Sequence, residues 1–472
     1  MAIYHLTANI ISRGRGQSVV AAAAYRSGAT LRDARYGVMH HYTGKRGVVH
    51  SEIMAPPETP AWVRDREMLW NNVEASELRK DSQLARLLEV GLPVELSGDE
   101  RVALLRDFIA KELVAKGMIA DFCIRGDTTN PHAHILLTLR GVTPTGFGPK
   151  ERRWNGKSVL LEWRSAWATQ ANEHLARAGH AVRIDHRTLE AQQIELTPGR
   201  RIGVGRARQR DQTLPSHLTD RIAEQQRITH ENGETILEDP TVALRALTHQ
   251  RPIFTYQELE QFLRSRTSGA AQFDAVLHAV THSTDFVAME PAAGHLGRFT
   301  SRDMIEAETS LMRRAASMIA RRGHGVAPDR QSAVASQFGM DDAVRRAFEY
   351  LVSEGDAKAV AVTDGAKGVL LAASRQAWGA EGFAVVGSEW PPGSDKLNRS
   401  TVLLLDAAHR MGVKELERVL AAADHARAKA VCIADSDQLH AMNVVSPFQN
   451  LLRQVGLSCG VQLIGDSPDT PA

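Results

Sequence analysis

Cysteine is nearly absent: Cys123, Cys432 and Cys459 are the only three in 472 residues. Their wide scatter and odd number fit neither a zinc-ligand spacing nor a disulfide framework, which leaves buried, reduced thiols. Apolar runs of the ~18 residues that a membrane helix needs are missing as well. The opening segment MAIYHLTANIISRGRGQ lacks the basic-then-apolar order of a secretory signal. These absences predict a cytoplasmic protein with no membrane insertion. A strong overall charge is also lacking, with a formal balance of only +2.

What is present describes a soluble globular chain, 43% hydrophobic and 24% charged. Its length exceeds what one ordinary core supports, so two or three domains are expected. The near-neutral total hides an asymmetry. Residues 1–210 carry 31 Lys and Arg against 22 Asp and Glu, a balance of +9, which leaves 26 against 33, or −7, for the remainder. The first half suits a polyanion and the second does not.

Residues 2–10 read as a strand, 12–18 as a Gly/Arg/Ser loop, and the alanine-rich 18–27 as a helix. Two strands are possible in the polar stretch that follows. GVVHSEIMAP at 47–56 reads as a strand, and 60–80 as an amphipathic helix. EVGLPVEL at 89–96 reads as a strand, and Ser97 with Glu100 has capping-box spacing for a helix over 98–117. MIADFCIRG and HAHILLTLRG read as strands joined by DTTNP, followed by a helix at 159–178 that ends at Gly179. This order predicts an α+β domain on an antiparallel sheet. The Gly- and Arg-rich run at 197–212 marks a boundary. Helices are expected at 215–230, 241–249, 256–265 and 302–322, with a second linker around Pro328 and Ser332. From about 340, KAVAVTD, FAVVGS, TVLLLDAAH and KAVCIADS alternate with helices, as in a parallel α/β sheet buried on both faces.

Two features carry chemistry. His132 and His134 are spaced i, i+2 on a predicted strand, so both imidazoles face one side. Neutral imidazole is a common ligand of divalent transition metals. Tyr25 ends the alanine-rich helix and is followed by Arg26. A phenol is a weak nucleophile until a cation stabilises its anion, but it forms a reversible phosphodiester that conserves the energy of a broken strand.

Together, MAIYHLTANIISRGRGQSVVAAAAYRSG, VVHSEI, LEVGLPVEL, NPHAHILLT, FG…RRWN and VRIDHRTLEAQQIEL resemble the MobA/MobL mobilisation relaxases, and most closely the Ti-plasmid-type TraA relaxase-helicases. The resemblance covers residues 1–205. It implies an HUH-type nickase that cuts and reseals single-stranded DNA at a transfer origin. Tyr25 would become joined to the 5′ end, and His132 and His134 would hold Mg²⁺ or Mn²⁺. Relaxosome proteins and a type IV secretion coupling protein are the implied partners. Such relaxases carry a third histidine about where this chain has Ile124-Arg125. Asp127, Glu74 or Glu95 would complete the coordination, or Arg125 would replace part of the metal's charge; His50 and His5 are further strand histidines. Arg13, Arg15, Arg26, Arg152, Arg153 and Arg187 are the expected phosphate contacts, with Trp154 stacking on a base. The alternative reading is a weakened relative that binds the origin without cutting.

Within the linker and helical domain expected at 206–335, residues 250–322 resemble the helical segment before the TraA motor, and the α/β segment at 336–472 resembles the first domain of that RecD-like motor. Its nucleotide motifs are eroded. TDGAKGVLLAASR keeps Lys367 but not the hydroxyls and glycines of a P-loop, and LLLDAAH keeps Asp406 but not the following carboxylate. ADSDQLH keeps Asp437 and Gln438. No use of ATP and no helicase activity are expected.

Overall fold

The computed structural model describes residues 4–44, 47–126, 130–143, 146–199, 216–289, 297–387, 397–406, 408, 411–436 and 447–456. The chain forms two compact units, Met1–Ala178 with Val182–His186, and Gly179–Ala181 with Arg187–Ala472. The first unit ends before the Gly/Arg run, of which residues 200–212 lie outside the described residues.

In the first unit β1 (Leu6–Ser12) leads through a 3-10 turn into α1 (Val19–Ser27). A small hairpin, β2 (Thr30–Asp33) and β3 (Val38–His41), precedes β4 (Val48–Met54) and α2 (Arg66–Ser76). Then come β5 (Gln83–Gly91), α3 (Gly98–Glu112), β6 (Ala120–Arg125) and β7 (His132–Leu137). A second hairpin, β8 (Arg140–Thr143) and β9 (Gly146–Lys150), leads to α4 (Lys157–Arg177). Five strands form one antiparallel sheet in the order β1-β5-β7-β6-β4, the expected α+β class with β7 at its centre.

Capping chemistry sets the helix starts. Ser18 accepts the Ala21 N–H at 3.1 Å to begin α1, and Ser97 with Glu100 forms the expected reciprocal capping box of α3. Two boundaries differ from the sequence reading. Strand β5 runs over Gln83–Gly91 rather than 89–96, because β1 pairs along it from Ser12↔Gln83 to Leu6↔Val90. Pro93, lacking an N–H, lies beyond its end. Helix α2 is shorter than 60–80: Asp65 caps it by accepting the Met68 N–H at 2.8 Å, and Leu78, expected on its apolar face, is 90% exposed.

The sheet has two dry faces. Leu88, Val90, Phe122, Ile124, Ala133 and Ile135 pack against α3 and α4, around Phe108, Trp163 and Trp167. On the other face Ile11, Leu87 and Leu136 pack under α1 and α2 with Val19, Val20, Ala23, Ala24 and Trp70.

The second unit begins with α5 (Ser216–Glu238), α6 (Thr241–Gln250), β10 (Phe254–Thr255), α7 (Tyr256–Arg264) and α8 (Gly269–Thr281). Strands β11 (Phe286–Met289) and β12 (Arg298–Ser301) complete a three-stranded sheet with β10, which the sequence reading did not contain. Next are α9 (Arg302–Ile319), α10 (Pro328–Gln337) and α11 (Asp342–Val352). The expected linker at Pro328 and Ser332 is therefore α10, since proline at the first helical position loses no hydrogen bond and holds φ where the helix needs it. The rest is β13 (Ala357–Val362), α12 (Asp364–Ala380), β14 (Ala384–Val386), β15 (Thr401–Leu405), α13 (Val413–His425), β16 (Lys429–Asp435) and α14 (Pro447–Gly456). Its four strands form the expected parallel sheet, in the order β13-β16-β15-β14. Among the described residues no helix is long and apolar enough to cross a membrane.

At the start of β16, Lys429 is fully buried. Its Nζ donates to the Ser353 carbonyl at 2.5 Å and lies 5.2 Å from the centre of the Trp378 ring. Burial, reinforced by the charge of Lys358, lowers its pKa from 10.5 to about 7. Between those values the unfolded chain holds a proton that the folded chain has released, so stability rises with pH across that window. Lys429→Met is expected to flatten this rise and to raise the thermal midpoint at pH 7 by roughly 2–4 °C. Calorimetry from pH 7 to pH 10 checks it, and an unchanged slope would contradict the assignment.

Candidate active site

The central strand presents its histidines to the α1 side. His134 stands between Glu89 of β5 and Cys123 of β6, and His132 between Gly91 and Arg125. Residues two apart on a strand share a face, so Leu136, buried under α1, places both histidines at the open end of that layer. The two rings are half-buried, with centroids 5.2 Å apart and planes at 85°. His132 Nδ1 lies 2.9 Å from the Asn130 carbonyl. A carbonyl only accepts, so the proton sits on Nδ1 and the Nε2 lone pair is left for a ligand.

Helix α1 is fixed at both ends. At its start, Glu74 accepts the Val19 N–H at 3.2 Å, and Ser18 Oγ donates to Asp33 at 2.5 Å. At its end Gly28 takes φ 69°, a left-handed cap that a side chain would strain. Tyr25 lies in the last turn, 48% exposed, edge-on to Tyr42 with centroids 5.3 Å apart. Arg26 and Ser27 of the same turn line a small gap with Cys123 and Leu136, the residues flanking His134 in the sheet. Burial lowers the Arg26 pKa; the charges of Cys123, Tyr25 and Glu89 oppose this, and that of Arg125 adds to it. The Cys123 thiol, pushed up to about 11 mainly by burial, stays protonated near neutral pH.

The third-ligand candidates separate clearly. Glu74 is tied to Arg13 and to the α1 backbone, so it is not open to a metal. Glu95 lies beyond the end of β5. His50 pairs with Ile124 on the other face of the sheet and bonds Glu52 at 2.9 Å. His5 lies 3.9 Å from Glu89. Asp127 lies outside the described residues. Among the described residues, no three His, Cys, Asp or Glu side chains converge where a metal would sit. The donor set fits a cation through two imidazole nitrogens, and a guanidinium, Arg125, stands opposite His132. Glu89 was missed by the sequence reading, although strand alternation in LLEVG was the signal that would have found it.

The expected DNA contacts divide too. Arg13 is buried, not on the surface. It donates to the carbonyls of Glu77 at 2.9 Å, Arg79 at 2.5 Å and Glu74 at 3.0 Å, and to the Glu74 carboxylate at 2.6 Å. A Gly/Arg loop looks solvent-seeking locally, but four acceptors around one guanidinium make burial favourable. Trp154 is half-buried against the α3/α4 core rather than open for stacking. Arg15, Arg152, Arg153 and Arg187 are exposed, Arg153 bonding Glu151 at 3.1 Å. In the second unit Lys367 lies in the first turn of α12, Asp406 follows β15, and Asp437 and Gln438 lie outside the described residues.

A family model described as the MobA/MobL family matches residues 17–212, which hold Tyr25, His132 and His134. It is this first part of the chain, residues 17–212, that is similar to the MobA/MobL family. The conjugal transfer protein TraA of Rhizobium radiobacter is 30% identical over 97% of this chain and 48% of its own length. The mobilization protein MobL of Acidithiobacillus ferridurans is 36% identical over 43% of this chain and 62% of its own. A solved structure described as the molecular basis of vancomycin resistance transfer in Staphylococcus aureus is 36% identical, covering 40% of this chain and 100% of that one with a TM-score of 0.38. The chain spans about half the length of the TraA relatives that it matches.

Removing one member of a buried pair strands the other's charge, at about 3–5 kcal/mol. Arg13→Ala is expected to lower stability by that amount, read from guanidinium unfolding of the full chain. A loss near 0.5 kcal/mol, the size of an ordinary surface change, would show that Arg13 is not a clamp.

Proposed function

We propose that this protein is a relaxase that nicks and reseals single-stranded DNA at a transfer origin through Tyr25. The observation that carries the proposal is the last turn of α1. It bears an exposed phenol and packs against the sheet beside the histidine pair. The names of the relatives, conjugal transfer and mobilization proteins, support the same reading.

Tyr25 Oη forms a bond to the scissile phosphorus as the bond to the 3′ oxygen breaks. The phenol loses its proton and the departing 3′ oxygen gains one. The product is a 5′-phosphotyrosine of similar energy to the original link, so the step runs backwards to reseal the strand. His132 and His134 would hold a divalent cation, Mg²⁺ or Mn²⁺, which when bound neutralises charge on the phosphate. Arg125 and Arg26 add fixed positive charge around the same point and orient the phosphodiester. Arg15, Arg152 and Arg153 would follow the backbone of the strand. Relaxosome proteins and a secretion coupling protein are the proposed partners, in the cytoplasm.

Arg125 opposite His132 also favours a second reading, a protein that binds the origin strand and cuts it weakly. A labelled origin oligonucleotide with Mn²⁺ separates the two. The first reading predicts a covalent adduct that EDTA prevents and Tyr25→Phe abolishes, more than 100-fold, while oligonucleotide affinity stays within about twofold. An adduct that persists in Tyr25→Phe would overturn the role of Tyr25, and a reversible shift alone would favour the binder.

For the second unit we infer no ATP turnover. Strand β13 ends at Val362, and α12 begins at Asp364, so the eroded motif forms the first helical turn. A P-loop instead wraps backbone N–H groups around phosphates before its helix begins. Phosphate release with ATP and single-stranded DNA should stay at background, and release above that level would refute the inference.

A further inference from the structure

On the side of the sheet away from the histidines lies a cavity of about 390 Å³, within the range of small-ligand sites. Its floor is the edge strand β1 at Ala8 and Ile10, and one wall is α4 at Leu160 and Trp163. None of its lining residues is acidic, and Arg86, Asn155 and Lys157 stand around it.

Three features of this cavity match the parts of a nucleotide. Helix α4, 21 residues long, starts at its mouth with Gly156 as N-cap and no side chain capping it, so first-turn N–H groups and the exposed Lys157 ammonium meet there. That combination suits a phosphate. Ala8, Ile10 and Leu160 make an apolar wall, as a base requires. Arg86 lies over Trp163 at 5.3 Å and is held by the Trp154 carbonyl and the Asn155 side-chain oxygen. Trp163 is itself fully buried, and its indole N–H finds no acceptor among the described residues. A buried donor without an acceptor is costly, and sites that carry one are unusual enough to suggest a ligand. The exposed Arg152 and Arg153 sit on the turn that leads into the mouth.

We propose that this cavity is a second DNA subsite that holds one nucleotide of the single strand, base inside and phosphate at the start of α4. It rests on the reading of the chain as an enzyme acting on single-stranded DNA. Arg86 lies five residues from Gly91, the neighbour of His132, or about 17 Å along β5 at ~3.4 Å per residue. The subsite therefore grips the strand away from the cleavage point, around the β1 edge.

Titration of the full chain with the four deoxynucleoside monophosphates, and separately with inorganic phosphate, tests this by calorimetry. At least one nucleotide should bind tenfold or more tighter than phosphate. Ala8→Trp, which fills the floor, and Lys157→Glu, which reverses an exposed charge at the mouth, should each weaken that binding tenfold or more, with thermal midpoints confirming that both variants fold. Nucleotide binding no better than phosphate, or unchanged in the folded Ala8→Trp protein, would overturn the subsite. The adduct assay is independent: an adduct without nucleotide binding would sink the subsite alone, and nucleotide binding without an adduct would sink the nicking reading alone.

Discussion

One buried ion pair holds the candidate catalytic layer together. Arg13, at the end of β1, meets Glu74 of α2 at 2.6 Å, and the same carboxylate accepts the first N–H of α1. A carboxylate at a helix start also matches the positive end of the helix dipole. Three elements distant in sequence are thereby joined through two side chains, and the position of α1 over the sheet follows. Tyr25, six residues beyond the anchored Val19, inherits that position. Burying two charges has a desolvation cost, which geometry this complete offsets; its main contribution here is orientation.

Above that clamp, a single periodicity divides the chemistry. On β7 the odd positions Ala133, Ile135 and Leu137 are apolar and covered by α3 and α4, and His132 and His134 face the α1 layer. On β5 the same alternation turns Glu89 toward the histidines and Arg86 toward the cavity beside α4. One sheet thus carries two distinct sites on opposite sides, the histidine pair beside α1 and a pocket beside α4.

The electrostatics of the histidine end are unusual for a cation site. Arg125 stands opposite His132, and Arg26 lines the gap beside Cys123, so two guanidiniums surround the imidazole pair. Glu89 stands across from His134 on β5, and the Asn130 carbonyl accepts the His132 Nδ1 proton.

Much of this was legible along the chain, where local chemistry decides the outcome. The Ser97–Glu100 box and the alanine run announced their helices, and the spacing of His132 and His134 alone placed both on one face. The continuous apolar runs announced the parallel sheet of the second unit. Short pieces stayed hidden: β10, of two residues, reads as nothing until β12 pairs with it. Tertiary structure alone decided that Arg13 is a buried clamp rather than a DNA contact, that Trp154 leans on the core, and that His50 faces the other side of the sheet. The physical reason is common to all of them. Strand register and burial come from partners tens of residues away, and no local spacing records which partner a side chain will meet.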